Sequence, residues 1–241
     1  MTLLCLGLLL LHKLQWLGNI RLVFLQMRWI FMNWEQLPLG PLQTNCYIVA
    51  NQNKQCLIFD PGEEAKKLIL HLEKRKLLPQ AILLTHAHFD HIGAVDDVRK
   101  RFNIPVYLHD KEKNWLMDPA LNGSQFFMLG PIKADKAEHL ISAEGKMSVG
   151  DFSFEAFETP GHSPGSVSFY FKEDGFVVSG DALFQGSIGR TDLPGGDHEL
   201  LLKSIHNKLL VLPEETYVLP GHGSTTTIES EMESNPFLNG F

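Results

Sequence analysis

Hydrophobic and polar positions alternate most cleanly over residues 152–157. The run Phe152-Ser153-Phe154-Glu155-Ala156-Phe157 has a two-residue period and predicts a half-buried strand. Short apolar runs at 45–50, 55–59, 81–84, 104–108 and 216–219 predict further strands. Residues 167–171 and 176–178 predict a hairpin across Lys172-Glu173-Asp174-Gly175, and Pro105 puts its strand at an edge or a strand start. Helical spacing covers 63–77, with basic residues toward its end and Pro79 as a stop, then 96–100, and then 197–210 with Asp197 as N-cap. A short helix opens at His109-Asp110 and runs through Trp115, and a polar one covers 228–234. Residues 37–41 look like a turn-rich lead-in, and 122–134 has no assignable period, a loop near the mouth of a site being one reading. Strands and helices alternate but hairpins occur as well, so mixed sheets are expected, not one doubly wound parallel sheet.

Residues 1–31 do not share this patterning. The apolar stretch 3–11 is too short to span a bilayer, and Lys13, Arg21 and Arg28 break any longer run. No clear cleavage site marks an export signal, since His12 and Lys13 follow the apolar stretch. A weak membrane-surface segment and a poor export signal remain as readings. The favoured one is upstream sequence translated from an early start, because Met27 and Met32 precede the first ordered pattern. Residues 1–31 are therefore expected to lie outside the fold, residues 32–241 to form the domain, and no stable membrane insertion is expected.

Composition narrows the function. A length of 241 residues suits one domain with a large core, or at most two. The formal charge of −7 makes electrostatic binding of nucleic acid a poor prospect. Three cysteines with no C-x-x-C argue against a disulfide framework and for a reducing, cytoplasmic setting. Cys46 and Cys56 sit on neighbouring predicted strands as small core residues.

The chemistry concentrates in Thr85-His86-Ala87-His88-Phe89-Asp90-His91, between a predicted strand and a predicted helix. Residues two apart on an extended segment point the same way, so His86 and His88 can reach one metal ion. The turn into the helix re-aims Asp90 and His91 elsewhere. Such imidazole and carboxylate donors suit zinc. Three further polar groups follow predicted strands: His162 in Thr159-Pro160-Gly161-His162-Ser163-Pro164-Gly165, Asp181 after Val177-Val178, and His222 in Pro220-Gly221-His222-Gly223. Each alone reads as an ordinary loop or turn residue. Together they give five histidines and two aspartates able to converge. His109, His139, His198 and His206 lack matching partners and read as surface or capping residues.

The ordered set His86-x-His88-x-Asp90-His91, His162, Asp181 and His222 resembles the metallo-β-lactamase superfamily of binuclear metallohydrolases, over roughly residues 37–235. The resemblance implies an αββα sandwich of two mixed sheets flanked by helices, with the site at one edge. It implies His86, His88 and His162 on one metal, Asp90, His91 and His222 on the other, and Asp181 bridging them. The metals would be two zinc ions, with iron or manganese at one or both sites as the alternative. A hydroxide shared by the pair would attack the carbonyl, and Asp90 would be both ligand and orienter. Asp60, in Asp60-Pro61-Gly62, matches a position that supports the site from behind, although a plain turn aspartate reads the same way.

The segments Gly180-Asp181-Ala182-Leu183-Phe184 and 187–197 resemble the short bacterial branch of the glyoxalase-II-like thioester hydrolases. The implied substrate is a small-molecule thioester of a thiol carrier, with nucleic acid discounted. Arg190 would meet a carrier carboxylate, or else brace its loop by pairing with Asp192. Full-length glyoxalase II enzymes continue into a C-terminal helical domain that helps hold glutathione, and this chain stops soon after His222. Two other implied readings are a mononuclear iron persulfide dioxygenase using His86, His162 and Asp181, and a non-catalytic metal-binding protein on the same fold. No sequence signal sets an oligomeric state.

Overall fold

The computed structural model describes residues 32–127 and 130–238; the readings of residues 1–31 lie outside the described residues. Two six-stranded sheets carry the fold. The first has the order β1 (Asn33–Leu39), β2 (Thr44–Ala50), β3 (Gln55–Phe59), β4 (Leu78–Leu83), β5 (Val106–His109) and β6 (His139–Ile141). The second contains β7 (Gly145–Val149), β8 (Phe152–Glu158), β9 (Val167–Phe171), β10 (Phe176–Gly180), β13 (Tyr217–Pro220) and β14 (Thr226–Thr227), in the order β14-β13-β10-β9-β8-β7. A small hairpin, β11 (Leu183–Phe184) with β12 (Ser187–Ile188), follows β10.

The layering follows from side-chain alternation along the strands. On β2, Cys46, Ile48 and Ala50 join a core with Leu68 and Leu72 of α1 (Ala65–Arg75) and Val95 and Val98 of α3 (Val95–Phe102). The alternate residues Tyr47 and Val49 face a second core with Phe152, Phe154, Phe169, Phe171 and Phe176 of the other sheet. A third core packs Val177 and Val218 against Leu201 and Leu202 of α4 (His198–Ser204) and Ile228 of α5 (Ile228–Ser234). Helix, sheet, sheet, helix is the expected αββα sandwich.

Several local expectations are met. Asn51 Oδ1 accepts the backbone N–H groups of Asn53 and Gln55 and closes the β2–β3 turn. Asp197 caps α4 by accepting the Leu200 N–H at 2.9 Å. Others differ. Residues 37–39 belong to β1, where Pro38 is tolerated because the strand lies at the sheet edge. Helix α1 ends at Arg75, with Lys76 left-handed at φ 55°, and Pro79 lies inside β4 instead of stopping the helix. The helix through Trp115 is two 3-10 turns, Asp110–Glu112 and Trp115–Met117.

Direction of travel brings the site together. β3 and β4 are parallel. β8 and β10 each run antiparallel to β9, and β10 is parallel to β13. The carboxyl ends of β8, β10 and β13 therefore share one edge of the second sheet, and His162, Asp181 and His222 follow those ends. The two edges are stitched by backbone bonds, Val167 N–H to Thr85 O at 2.8 Å and Asn45 N–H to Gly221 O at 2.8 Å.

Phe169 is fully buried between the sheets, with ring centroids 5.4 Å from Phe59 and 5.7 Å from Phe154. Phe169→Ala should destabilise the fold by about 3–5 kcal/mol. Urea unfolding checks this as a lower midpoint at an unchanged slope.

Candidate metal centre

His86 and His88 follow β4, and Asp90 and His91 lie in the short helix α2 (Phe89–Ile92). All four are at most 9% exposed, as are His162 and Asp181, whereas His222 sits at the opening. Three groups hold their ligating atoms within 4.8 Å of one another: His86, His88 and His162; Asp90, His91 and His222; and His86, His91 and Asp181. The structure thus brings together all seven residues singled out in the sequence, with Asp181 between the two outer groups.

Hydrogen bonding fixes how the rings present themselves. Thr85 Oγ1 donates to Asp60 Oδ2 at 2.7 Å and lies 3.0 Å from His86 Nδ1. With its only proton given to a carboxylate, that hydroxyl accepts from His86 Nδ1–H. His86 Nε2 then carries the lone pair, and it is buried without a hydrogen-bond partner. His162 Nδ1 donates to the Arg190 carbonyl at 2.7 Å, which leaves its Nε2 as the acceptor facing His88 Nδ1 at 2.8 Å. Asp60 Oδ2 lies 3.1 Å from His91 Nδ1, and His91 Nε2 is also buried without a hydrogen-bond partner. A hydroxyl, carbonyl or carboxylate behind one ring nitrogen, with the other turned into the cluster, is the arrangement that supports metal-ligating histidines.

Asp60 itself is left-handed at φ 48°, and its Oδ1 takes the Thr85 N–H at 2.8 Å. Thr44 Oγ1 donates to Asp90 Oδ2 at 2.9 Å, and His222 Nε2 is 3.2 Å from the same oxygen. Asn45 Nδ2 and Tyr47 Oη donate to the Pro220 carbonyl at 2.9 and 3.0 Å, which holds the loop that carries His222. Glycine is required in that loop, since a Cβ on Gly221 would lie 2.1 Å from Asp181 Oδ1.

The electrostatics divide the cluster. Burial pushes His86, His88 and His162 below the usual imidazole range, His88 to about 3, so these rings are neutral donors. Burial also opposes charge on His91 and His222, but carboxylates outweigh it and hold both above that range: Asp90 and Asp181 for His91, the Asp90 hydrogen bond and Asp181 for His222. Burial would raise Asp90 and Asp181, yet His91 first and then His222 or His162 bring them below the ordinary carboxylate value. Among the described residues, the ion pairs of both carboxylates are with histidines only. Two buried carboxylates, neutral imidazoles and unpartnered nitrogens fit a divalent cation set.

Five of the seven, His88, Asp90, His162, Asp181 and His222, line a cleft of about 390 Å³. Its walls are Leu42, Phe89, Phe127, Phe184, Ile188 and Leu193, with Arg190 at the rim. Arg190 is bound bidentately by Asp192, at 2.7 Å for each contact, so the bracing expected of that pair is present. A slightly larger cleft of about 420 Å³ lies elsewhere, but it is lined by none of the converging residues and contains the Lys208–Glu144 ion pair. Among the described residues, the remaining histidines stay apart from the centre. His109 caps its 3-10 turn by accepting the Lys111 N–H, but it is buried beside Glu158, and His139 stacks on Tyr107. Sequence reasoning passed over Thr44, Asn45, Thr85 and Glu112. Only Thr85 carried a signal, its place beside His86.

Comparison with known proteins agrees with this geometry. Residues 39–222 match the family described as the metallo-beta-lactamase superfamily. The chain is similar to "Probable metallo-hydrolase YqgX" of Bacillus subtilis, 56% identical over 210 residues that span 87% of this chain and 99% of the relative. It is also similar to "Hydroxyacylglutathione hydrolase GloC" of Haemophilus influenzae, 39% identical over 86% of this chain and 99% of that one. Among solved structures, BLEG-1 B3 metallo-beta-lactamase is 59% identical with a TM-score of 0.85, covering 86% of this chain and all (100%) of its own. TTHA1623 in a di-iron-bound form is 41% identical with a TM-score of 0.73, covering 85% of this chain and 100% of its own.

Thr85→Val keeps the side-chain shape and deletes the hydroxyl that orders Asp60 and His86. A divalent metal should then be held about 10–100-fold less tightly. Competition with a chromophoric chelator measures this, and unchanged affinity would show that the hydroxyl does not orient His86.

Proposed function

The chain belongs to the metallo-beta-lactamase superfamily, which supports a metal-dependent hydrolase, and from this premise we propose that it hydrolyses a thioester of a small thiol carrier. The observation that carries the reading is the seven-residue cluster, of which His88, Asp90, His162, Asp181 and His222 line an apolar cleft. In this proposal His86, His88 and His162 hold one ion, Asp90, His91 and His222 hold a second, and Asp181 serves both. Zinc suits these N and O donors, and iron or manganese accepts the same set. When bound, such a pair supplies an acidified water and an electrophile for the carbonyl oxygen.

The protein's residues then do the following. Thr44, His91 and His222 all approach Asp90 Oδ2 and orient that carboxylate through one oxygen. Its Oδ1 is the proposed acceptor for a proton of the attacking water. The C–S bond breaks as the tetrahedral adduct collapses. A thiolate leaves readily, because a thiol pKa near 8.5 demands little protonation, so no separate general acid is required. Ser187 lines the cleft, but its hydroxyl donates to the Ile188 carbonyl, and among the described residues it is not hydrogen-bonded to a base, which argues against a serine nucleophile.

The apolar walls suit the acyl group and the thiol arm. Arg190 is the one lysine or arginine among the lining residues, and a carrier carboxylate reaching it must compete with Asp192. Similarity to a hydroxyacylglutathione hydrolase supports the thioester class. Similarity to BLEG-1 supports a second reading, hydrolysis of a β-lactam by the same acyl addition. The complete group Asp90, His91 and His222 favours two metals over the single iron of a persulfide dioxygenase.

The test is zinc-loaded full-length chain with S-lactoylglutathione, followed by loss of thioester absorbance. Turnover is expected, and His88→Ala should lower kcat/KM by about 10³-fold, the scale of several kcal/mol of lost electrophilic stabilisation. Arg190→Ala should act mainly on KM. Absent thioester turnover, with a β-lactam hydrolysed instead, would replace this reading by the second.

A further inference from the structure

The three imidazoles of the first group come from two different sheets. His86 and His88 follow β4, His162 follows β8, and the loops that carry them must be held in register. Glu112, at the end of a 3-10 turn after β5, lies between those loops and is fully buried. Its Oε2 accepts the N–H of Ala87, the residue between His86 and His88, at 2.7 Å. Its Oε1 accepts the Gly165 N–H at 2.8 Å and the hydroxyl of Ser163, the residue after His162. The fit is close, since a Cβ on Gly165 would lie 2.8 Å from Glu112 Cγ. Among the described residues no lysine or arginine pairs with this carboxylate, so its three hydrogen bonds are the main compensation for its burial.

We propose that Glu112 is a positioning residue: its carboxylate clamps the 86–88 loop to the 162–165 loop, so that His86, His88 and His162 meet as one metal-binding set. The proposal rests on the reading of the cluster as a metal centre. The chemistry is specific to a carboxylate. Ala87 and Gly165 each present a backbone N–H, which can only donate, and they address different oxygens. A glutamine in the same place must turn its NH₂ toward one of them. One of the two backbone N–H groups then loses its acceptor, whichever way the amide is turned. The second group, Asp90, His91 and His222, is held by Thr44, Asp60, Asn45 and Tyr47, and among the described residues the hydrogen bonds of Glu112 go to Ala87, Ser163 and Gly165 instead.

The experiment separates the two groups. Cobalt(II) is titrated by visible absorption into His222→Ala, which keeps the three-imidazole group, and into His88→Ala, which keeps the other. Glu112→Gln is then added to each background. In the His222→Ala background it should weaken cobalt binding about 10–100-fold, the range for residues that orient metal ligands. In the His88→Ala background the affinity should stay within about 3-fold, inside the usual additivity error for independent sites. Unchanged affinity in the first background, or equal weakening in both, would overturn the proposal. If Glu112→Gln does not fold, Ser163→Ala in the same two backgrounds decides. It removes one donor and should weaken only the three-imidazole group, by roughly 3–10-fold, which matches one hydrogen bond; no change there also overturns the proposal. A wild-type chain that binds no cobalt would instead defeat the metal-centre reading.

Discussion

Two carboxylates, Asp90 and Asp181, are buried at one edge of the sandwich with histidines as their ion-pair partners among the described residues. Burying charge in a protein interior costs several kcal/mol per ion unless it is matched. Here the match is incomplete: the carboxylates favour the protonated forms of His91 and His222, while His86 Nε2, His91 Nε2 and Asp181 Oδ1 remain without hydrogen-bond partners. A divalent cation set satisfies both demands at once, and its binding would displace those protons. The local architecture follows from this need. Asp60, Thr85 and the Arg190 carbonyl fix ring nitrogens from behind, and Thr44 and Glu112 anchor what carries the ligands.

The fold serves the cluster by direction and by layering. Parallel placement of β8, β10 and β13 puts three loops at one edge, and packing of the two sheets through the Phe59, Phe154, Phe169 and Phe171 rings sets that edge against the end of β4. Metal groups drawn from both sheets depend on that register. Rigid strands are better supports for such geometry than free loops, and the backbone bonds from Val167 to Thr85 and from Asn45 to Gly221 join the edges beside the ligands.

Much of this was legible in the chain, for identifiable reasons. Strands with a regularly buried face announce themselves, as residues 152–157 do, and so does a compact cluster such as 86–91. The edge strands β6 and β7 were not legible, because most of their residues are exposed and their pairing, not their composition, defines them. β1 was hidden by Pro38, which an edge strand tolerates. His162, Asp181 and His222 could be expected to join the first cluster from their common place after strands, but assigning them to particular metals needed the family resemblance, since each alone looks like a turn residue. Glu112 could not be found at all. Its partners lie 25, 51 and 53 residues away, and Asp110-Lys111-Glu112 reads as a polar turn until the two loops are seen against it.

The central claim is that the seven converging side chains form two metal sites sharing Asp181. Anomalous diffraction from crystals of the zinc-loaded protein, collected on both sides of the zinc absorption edge, tests it most directly. The account predicts two peaks, one among His86, His88 and His162 and one among Asp90, His91 and His222, with Asp181 between them. A single peak, or none at these residues in protein shown to contain zinc, would contradict it.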